Sequence, residues 1–266
     1  MLAIETVQPA LLAERLAACV REAGALALSM FAKPIKSWTK GAGSPVCEAD
    51  IAVDEFLHER LSGVNAGFGW LSEETADDPA RLAARHVWIV DPIDGTRGYI
   101  AGAPDWAVSA ALVENGRPIA ACLSAPVTDE LFLAAEGCGA TCNGEAIAAT
   151  PGTTLAGMRI AGPQQFLRRV AGLAPPFTIV PRQHSLALRL ARVAQGSIDA
   201  AIAGGNSHDW DLAAADLLLH EAGGALTDLD GQCLGYNGPL PRHGMLVAAG
   251  RDRQAGLLAL ASDARL

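Results

Sequence analysis

Apolar residues recur at helical spacing between positions 8 and 31, where Leu11, Leu12, Leu16, Cys19, Val20, Leu26 and Met30 alternate with Glu14, Arg15, Arg21 and Glu22. A stripe of that period predicts an amphipathic helix lying on a core, and as scaffold it needs no further explanation. The pattern breaks from Lys33 to Pro45, a predicted loop with two glycines and three lysines. Ile51, Val53, Phe56, Leu57 and Leu61 then predict a second helix, with Asp50 and Asp54 one turn apart near its N-terminus, where the helix dipole favours carboxylates. Capping explains one of these two and not both. Trp70-Leu71-Ser72 leads into Glu73 and Glu74, which extended alternation sends to opposite sides, so only one should face a given site.

After a polar connection over 76–85, the β-branched and aromatic run Val87 to Val90 predicts a short buried strand. It stops at an acidic turn, Asp91-Pro92-Ile93-Asp94-Gly95-Thr96. Strands are predicted at Trp106 to Val113, Pro118 to Leu123, Glu130 to Ala134 and Glu145 to Ala148, with Asn115-Gly116 as a hairpin turn. The middle of the chain therefore reads as an antiparallel meander. Residues 150–182 carry little signal beyond breaks at Pro163, Pro175, Pro176 and Pro181. Ser185 to Gln195 is helix-compatible, Asp199 to Ala203 a short strand, and 208–222 an Ala/Leu-rich helix that opens on Asp209 and Asp211 and ends at Gly223-Gly224. Two short strands around Asp230-Gly231 and a terminal helix from Arg251 complete the chain.

Composition narrows the function classes. At 266 residues, half apolar and 18% charged, the chain can bury a substantial core. Twenty basic against 29 acidic residues, net -9, argues against a nucleic-acid-coating surface, and some of the acid excess is available as metal ligands. The six cysteines form no CxxC pair, so neither a zinc site nor a disulfide framework is indicated. No apolar run is long enough for a membrane span, and the opening Met1 to Thr6 lacks the basic head of a leader, so a cytoplasmic location is expected.

The candidate chemistry lies in five acidic positions: Asp50, Glu73, Asp91 with Asp94, and Asp211. Each sits at the end of a predicted element, where a fold gathers side chains from distant parts of the chain. Asp91 and Asp94, three residues apart across a proline-stiffened turn, have the oxygen donors that Mg2+ requires. The same six residues are also what an ordinary Asp-Pro, Asp-Gly surface turn carries. Lys40 is able to reach an anion or to be merely solvated. An Asp228-Leu-Asp230-Gly231 calcium loop fails on spacing, because the closing Glu is absent.

In order and local context these motifs resemble the inositol monophosphatase family of Mg2+-dependent, lithium-sensitive phosphomonoesterases. The resemblance rests on Glu73-Glu74, Trp88-Ile-Val-Asp91-Pro-Ile-Asp94-Gly95-Thr96, Trp210-Asp211-Leu-Ala-Ala-Ala and Glu221-Ala-Gly-Gly. Lys40, Ser44-Pro45-Val46 and Glu48-Ala49-Asp50 match upstream, so it spans about residue 10 to about 250. It implies an α/β (α+β) αβαβα layered sandwich. It further implies one catalytic unit over 1–266, with a metal-binding lobe over 1–150 and a smaller lobe over 151–266 supplying Asp211. Glu73, Asp91 and the Ile93 carbonyl would hold one Mg2+, Asp91, Asp94 and Asp211 a second, and Glu73 would help a third through water. Gly95 and Thr96 N–H groups would bind phosphate, and a Thr96–Asp50 pair would orient or deprotonate the attacking water.

The implied partner is a small phosphorylated metabolite, with no nucleic acid or membrane, and a homodimer is consistent with the family. Inositol-phosphate hydrolysis leads. A 3'(2'),5'-bisphosphate nucleotidase, a histidinol-phosphate phosphatase and a fructose-1,6-bisphosphatase share the machinery, and a non-catalytic phosphate-ligand binder is the remote alternative. Ala203-Gly204-Gly205-Asn206 lacks the Glu that inositol-selective members carry there, and Thr96-Arg97-Gly98-Tyr99-Ile100 is closer to the nucleotidase and histidinol-phosphatase style. Arg97 either meets a second phosphate or is a solvated cation. Asp209 has no assigned counterpart and is a candidate to replace the missing Glu. Mg2+ chemistry does not need His184, His208, His220 or His243, and all four fall outside the predicted site.

Overall fold

The first helix, α1 (Pro9–Met30), forms where its stripe predicts, with Leu16, Val20, Ala23 and Ala27 buried and a proline in its first turn, where no N–H is needed. The computed structural model describes residues 8–41, 43–65, 67–172 and 176–263. The opening Met1 to Thr6, read above for a leader, lies outside them, as do Ala42 of the glycine loop, Ala66 and Pro175.

The stretch expected to be a loop over 33–45 contains instead an antiparallel hairpin, β1 (Ser37–Lys40) with β2 (Ser44–Cys47), in which Lys40 stands opposite Ser44. Four-residue strands are too short to show a period, and β1 is largely exposed. Helix α2 (Glu48–Ser62) follows, then β3 (Gly69–Ser72), a 3-10 turn at Pro79–Ala83 and β4 (His86–Asp94). The central strand runs on through the acidic residues rather than stopping at Val90. Its pairing with the next strand is irregular between Asp91 and Asp94, as a proline inside a ladder requires. A short helix, α3 (Thr96–Ile100), then turns the chain into β5 (Ala107–Glu114), β6 (Arg117–Ala125) and β7 (Glu130–Ala135). The strand expected over 145–148 is only β9 (Glu145–Ala146), paired with β8 (Ala140–Cys142). These strands form one sheet in the order β3-β4-β5-β6-β7-β8-β9, with β3 parallel to β4 and each later pair antiparallel.

The weak stretch 150–182 resolves into β10 (Arg159–Ala161), α4 (Gln164–Val170) and β11 (Thr178–Ile179). It is followed by α5 (Leu186–Ala194), β12 (Ala200–Ala203), β13 (Ser207–His208) and α6 (Asp209–Glu221). The chain ends with β14 (Gly224–Asp228), β15 (Arg242–His243), β16 (Leu246–Gly250) and α7 (Arg251–Asp263). The second sheet has the order β11-β10-β12-β16-β14, and β13 pairs with β15 as a small ribbon. Only the first of the two strands expected around Asp230-Gly231 forms; the return is the single bridge Thr227–Cys233.

Alternate residues of the large sheet face different layers, as the pleat demands. Trp88, Val90, Val108 and Ala110 pack with α1 and α2, while Val87, Ile89, Ala111 and Val113 pack with α5 and α6. The opposite sides of α5 and α6 meet the smaller sheet, whose far face packs against α4 and α7. The result is the expected αβαβα sandwich. Helix α6 is buried nearly all round, and Ala213, Ala214 and Ala215 let it fit between two sheets. No helix among the described residues is long and apolar enough to cross a membrane. The end of β4 and the starts of α2, α5 and α6 meet at one edge of these layers, and there the acidic residues gather.

Candidate functional site

Asp91, Asp94 and Asp211 bring carboxylate oxygens within 4.8 Å of one another, from the end of β4 and the first turn of α6. Each is placed by a local device. Asp211 is the third residue of α6 and accepts the His208 backbone N–H at 2.7 Å, half of a capping box. Asp94 accepts the Ser185 hydroxyl at 2.5 Å and the Ala187 N–H at 2.6 Å, so the start of α5 clamps one of its oxygens. Asp91 is 1% exposed, and neither of its carboxylate oxygens has a hydrogen-bond partner among the described residues.

Asp50 is also a third helical residue. Its Oδ2 accepts the Cys47 N–H at 2.8 Å, which leaves Oδ1 to accept the Thr96 hydroxyl at 2.9 Å. The Ile93 carbonyl lies 2.9 Å from the same hydroxyl. Gly95 has φ +95, and a Cβ there would come within 3.0 Å of the Ser185 nitrogen, so both backbone conformation and space demand glycine. Because β3 ends at Ser72, alternation does not separate Glu73 from Glu74: Lys40 Nζ lies 3.2 Å from Glu73 Oε1 and 2.5 Å from Glu74 Oε1. Only Glu73 of the two lines the pocket.

Electrostatics single out this cluster. Burial pushes the Asp91 carboxyl well above the usual range, and the negative charges of Glu73, Asp94, Asp211 and Asp50 push it further. Burial and the neighbouring Asp94 do the same to Asp211. Glu73 is pushed up to about 7, by burial first, with Lys40 pulling the other way. Burial raises Asp94 too, against the opposing hydrogen bonds of Ser185 and Ala187. Such a set binds protons or a cation, and hard oxygen donors with two unpartnered buried carboxylate oxygens on Asp91 fit a divalent ion.

These side chains open into a cavity of about 180 Å³ lined by Glu73, Asp91, Asp94, Gly95, Thr96, Arg97 and Asp211, together with Ser44, Pro45, Arg182 and His184. Asp50 sits behind Thr96. Arg97 lies at the rim, where its guanidinium donates to the Gly43 carbonyl at 2.8 Å. Lys40, read above as a possible anion contact, is engaged by the two glutamates. Asp209 is turned away from the cavity: it accepts the Asn237 N–H and faces His243 Nε2, each at 2.7 Å, tying α6 to β15 and to the chain before it. His184, placed outside the site above because Mg2+ chemistry does not need it, lines the cavity, and neither Arg182 nor Ser185 had a predicted role there. Ser185 had a legible signal, a serine directly before an apolar helical run, but the proline breaks before it masked any link to Asp94.

The sequence matches the model of the inositol monophosphatase family over residues 11–266. It is similar to the inositol-1-monophosphatase of Mesorhizobium japonicum, 35% identical over 212 residues that cover 72% of this chain and 75% of that protein. The histidinol-phosphatase of Mycobacterium tuberculosis is 35% identical over 205 residues, covering 73% and 77%. Among solved structures, the extragenic suppressor protein suhB from Bartonella henselae matches with a TM-score of 0.81 at 27% identity, covering 95% of this chain and 98% of that one.

Proposed function

Because the chain belongs to the inositol monophosphatase family and is thus a phosphatase, we propose that it hydrolyses a small phosphate monoester of the inositol-phosphate type with Mg2+ as cofactor. The observation that carries this reading is the convergence of Asp91, Asp94 and Asp211 within 4.8 Å, with both Asp91 oxygens unpartnered. Glu73, Asp91, Asp94, Asp211 and the Ile93 carbonyl would hold two ions, and Glu73 would assist a third. Bound Mg2+ supplies the positive charge that polarises the phosphoryl group and acidifies water.

The chain's own groups have separate tasks. Gly95 and Thr96 N–H groups hold phosphate oxygens, which the left-handed conformation at Gly95 allows to approach closely. The Thr96 hydroxyl accepts a proton from the attacking water as it passes its own to Asp50 Oδ1, 2.9 Å away. Cys47 keeps Asp50 aimed by occupying its other oxygen. Lys40 pairs with Glu73 and favours its ionised form, which is the ligating form. Attack by water from the side opposite the leaving alcohol needs no covalent phosphoenzyme.

A second reading, a histidinol-phosphate phosphatase or a 3'(2'),5'-bisphosphate nucleotidase, is favoured by the carboxylate-free segment 203–206. Phosphate release from inositol-1-phosphate, histidinol phosphate and 3'-phosphoadenosine 5'-phosphate, with and without Mg2+, tests both. Mg2+-dependent release that is fastest with inositol-1-phosphate supports the first reading, and preference for another ester moves the assignment to the second. No release from any of the three would refute the activity.

A further inference from the structure

The wall of the cavity away from the carboxylates has a different chemistry, and its most firmly anchored member is His184. Asp105 binds this segment three ways. Its Oδ2 accepts the His184 backbone N–H at 2.6 Å, its carboxylate oxygens lie 2.8 and 3.0 Å from His184 Nδ1, and its carbonyl accepts the Ser185 N–H at 3.1 Å. The imidazole rests on Gly98, where an added Cβ would come within 2.7 Å of a ring carbon. A side chain still 34% exposed has therefore surrendered its rotamer freedom, which a merely solvated histidine has no reason to do. His184 lines the cavity and Asp105 does not, so the ring edge turned away from Asp105, bearing Nε2, is the one offered to a ligand. A carboxylate fixing one imidazole nitrogen so that the other meets a partner is the arrangement that orients functional histidines generally.

We propose that His184, positioned by Asp105, is a specificity-determining residue that hydrogen-bonds through Nε2 to an oxygen on the organic part of the phosphate ester. The inference rests on the phosphatase reading of the same cavity. The phosphoryl group is already matched by the 95–96 turn and the carboxylate cluster, which leaves the His184 wall to the alcohol moiety. Arg182 on that wall adds a positive charge and further favours oxygen-bearing substituents. The class selected is an ester whose alcohol carries another hydroxyl or carboxylate oxygen, over an aryl phosphate that has none at that place.

The test compares glycerol 2-phosphate with p-nitrophenyl phosphate on the full chain in Mg2+. His184→Ala is expected to raise KM for glycerol 2-phosphate roughly five- to tenfold, the loss of one hydrogen bond, with kcat, the aryl ester's KM and the thermal midpoint nearly unchanged. His184→Gln, which keeps a hydrogen-bonding head, restores part of the discrimination. Asp105→Asn and Gly98→Ala, which disturb the ring without removing it, shift KM in the same direction as His184→Ala. Equal losses on both esters, or no change on either, would overturn the role of His184 while leaving the phosphatase reading intact. A wild-type chain that releases phosphate from neither ester overturns both.

Discussion

Replacing Asp91 by Asn should abolish turnover and yet stabilise the chain once divalent ions are stripped. Asp91 is buried, with unpartnered oxygens and like charges on Glu73, Asp94, Asp211 and Asp50 around it. At the 4.8 Å that bounds the ligand-atom separations, one pair of unit charges repels by about 3.5 kcal/mol in an effective dielectric of 20. Wild type can escape that repulsion only by taking up a proton. Folded Asp91 holds this proton at pH values where the unfolded carboxyl has released it. The associated stability is thus fully present below the ordinary carboxylate range and is lost as pH rises towards the raised folded value. Such a group loses about 1.4 kcal/mol of stability for each pH unit between its ordinary unfolded value and its raised folded one. Asparagine never pays that cost, and its unpartnered amide replaces an equally unpartnered protonated acid. Thermal unfolding in EDTA at pH 7 should show Asp91→Asn melting above wild type, by roughly 2–4 °C for each such pH unit, with the gap narrowing on acidification. Saturating Mg2+ should reverse the order, since each ion at a hundredfold its Kd adds about 2.7 kcal/mol to the chain that binds it, and the wild-type site would hold two. A variant less stable than wild type in EDTA at pH 7, or Mg2+ raising both midpoints equally, would refute the reasoning.

Three other perturbations probe separate parts of the site. Thr96→Val keeps shape but removes the hydroxyl shared by Asp50 and Ile93, and kcat should fall about a hundredfold or more with KM little changed; a KM effect alone would remove Thr96 from proton transfer. Ser185→Ala deletes both the cap of α5 and a hydrogen bond to Asp94, so chemical denaturation should show a loss of about 1–2 kcal/mol and calorimetry a weaker Mg2+ affinity, whereas a loss of stability without a change in Mg2+ affinity would mean that the clamp on Asp94 does not tune the ion site. Gly95→Ala forces a Cβ onto a left-handed backbone and within 3.0 Å of the Ser185 nitrogen; it should cost about 1–3 kcal/mol and most of the activity, and a wild-type melting curve would contradict the packing described.

What the sequence determined by itself was local. The stripe of α1, the apolar run of β4 and the Ala/Leu run of α6 declare their own elements, because backbone periodicity and side-chain polarity act over a few residues. The acidic residues were legible as element ends. The family resemblance added order along the chain, which placed Asp50, Glu73, Asp91, Asp94, Thr96 and Asp211 around a single cavity or directly behind it. Only the tertiary structure decided what each neighbour does. Ser185 reaches Asp94 across 91 residues and Asp105 holds His184 across 79, and no local pattern encodes contacts at that range. Lys40 meets two glutamates because β3 ends one residue before them, so strand alternation no longer applies. Asp209 and Asp211 share the first turn of α6, but at 100° per residue they lie about 160° apart around it. That rotation turns one carboxylate towards the chain before β15 and the other into the cavity.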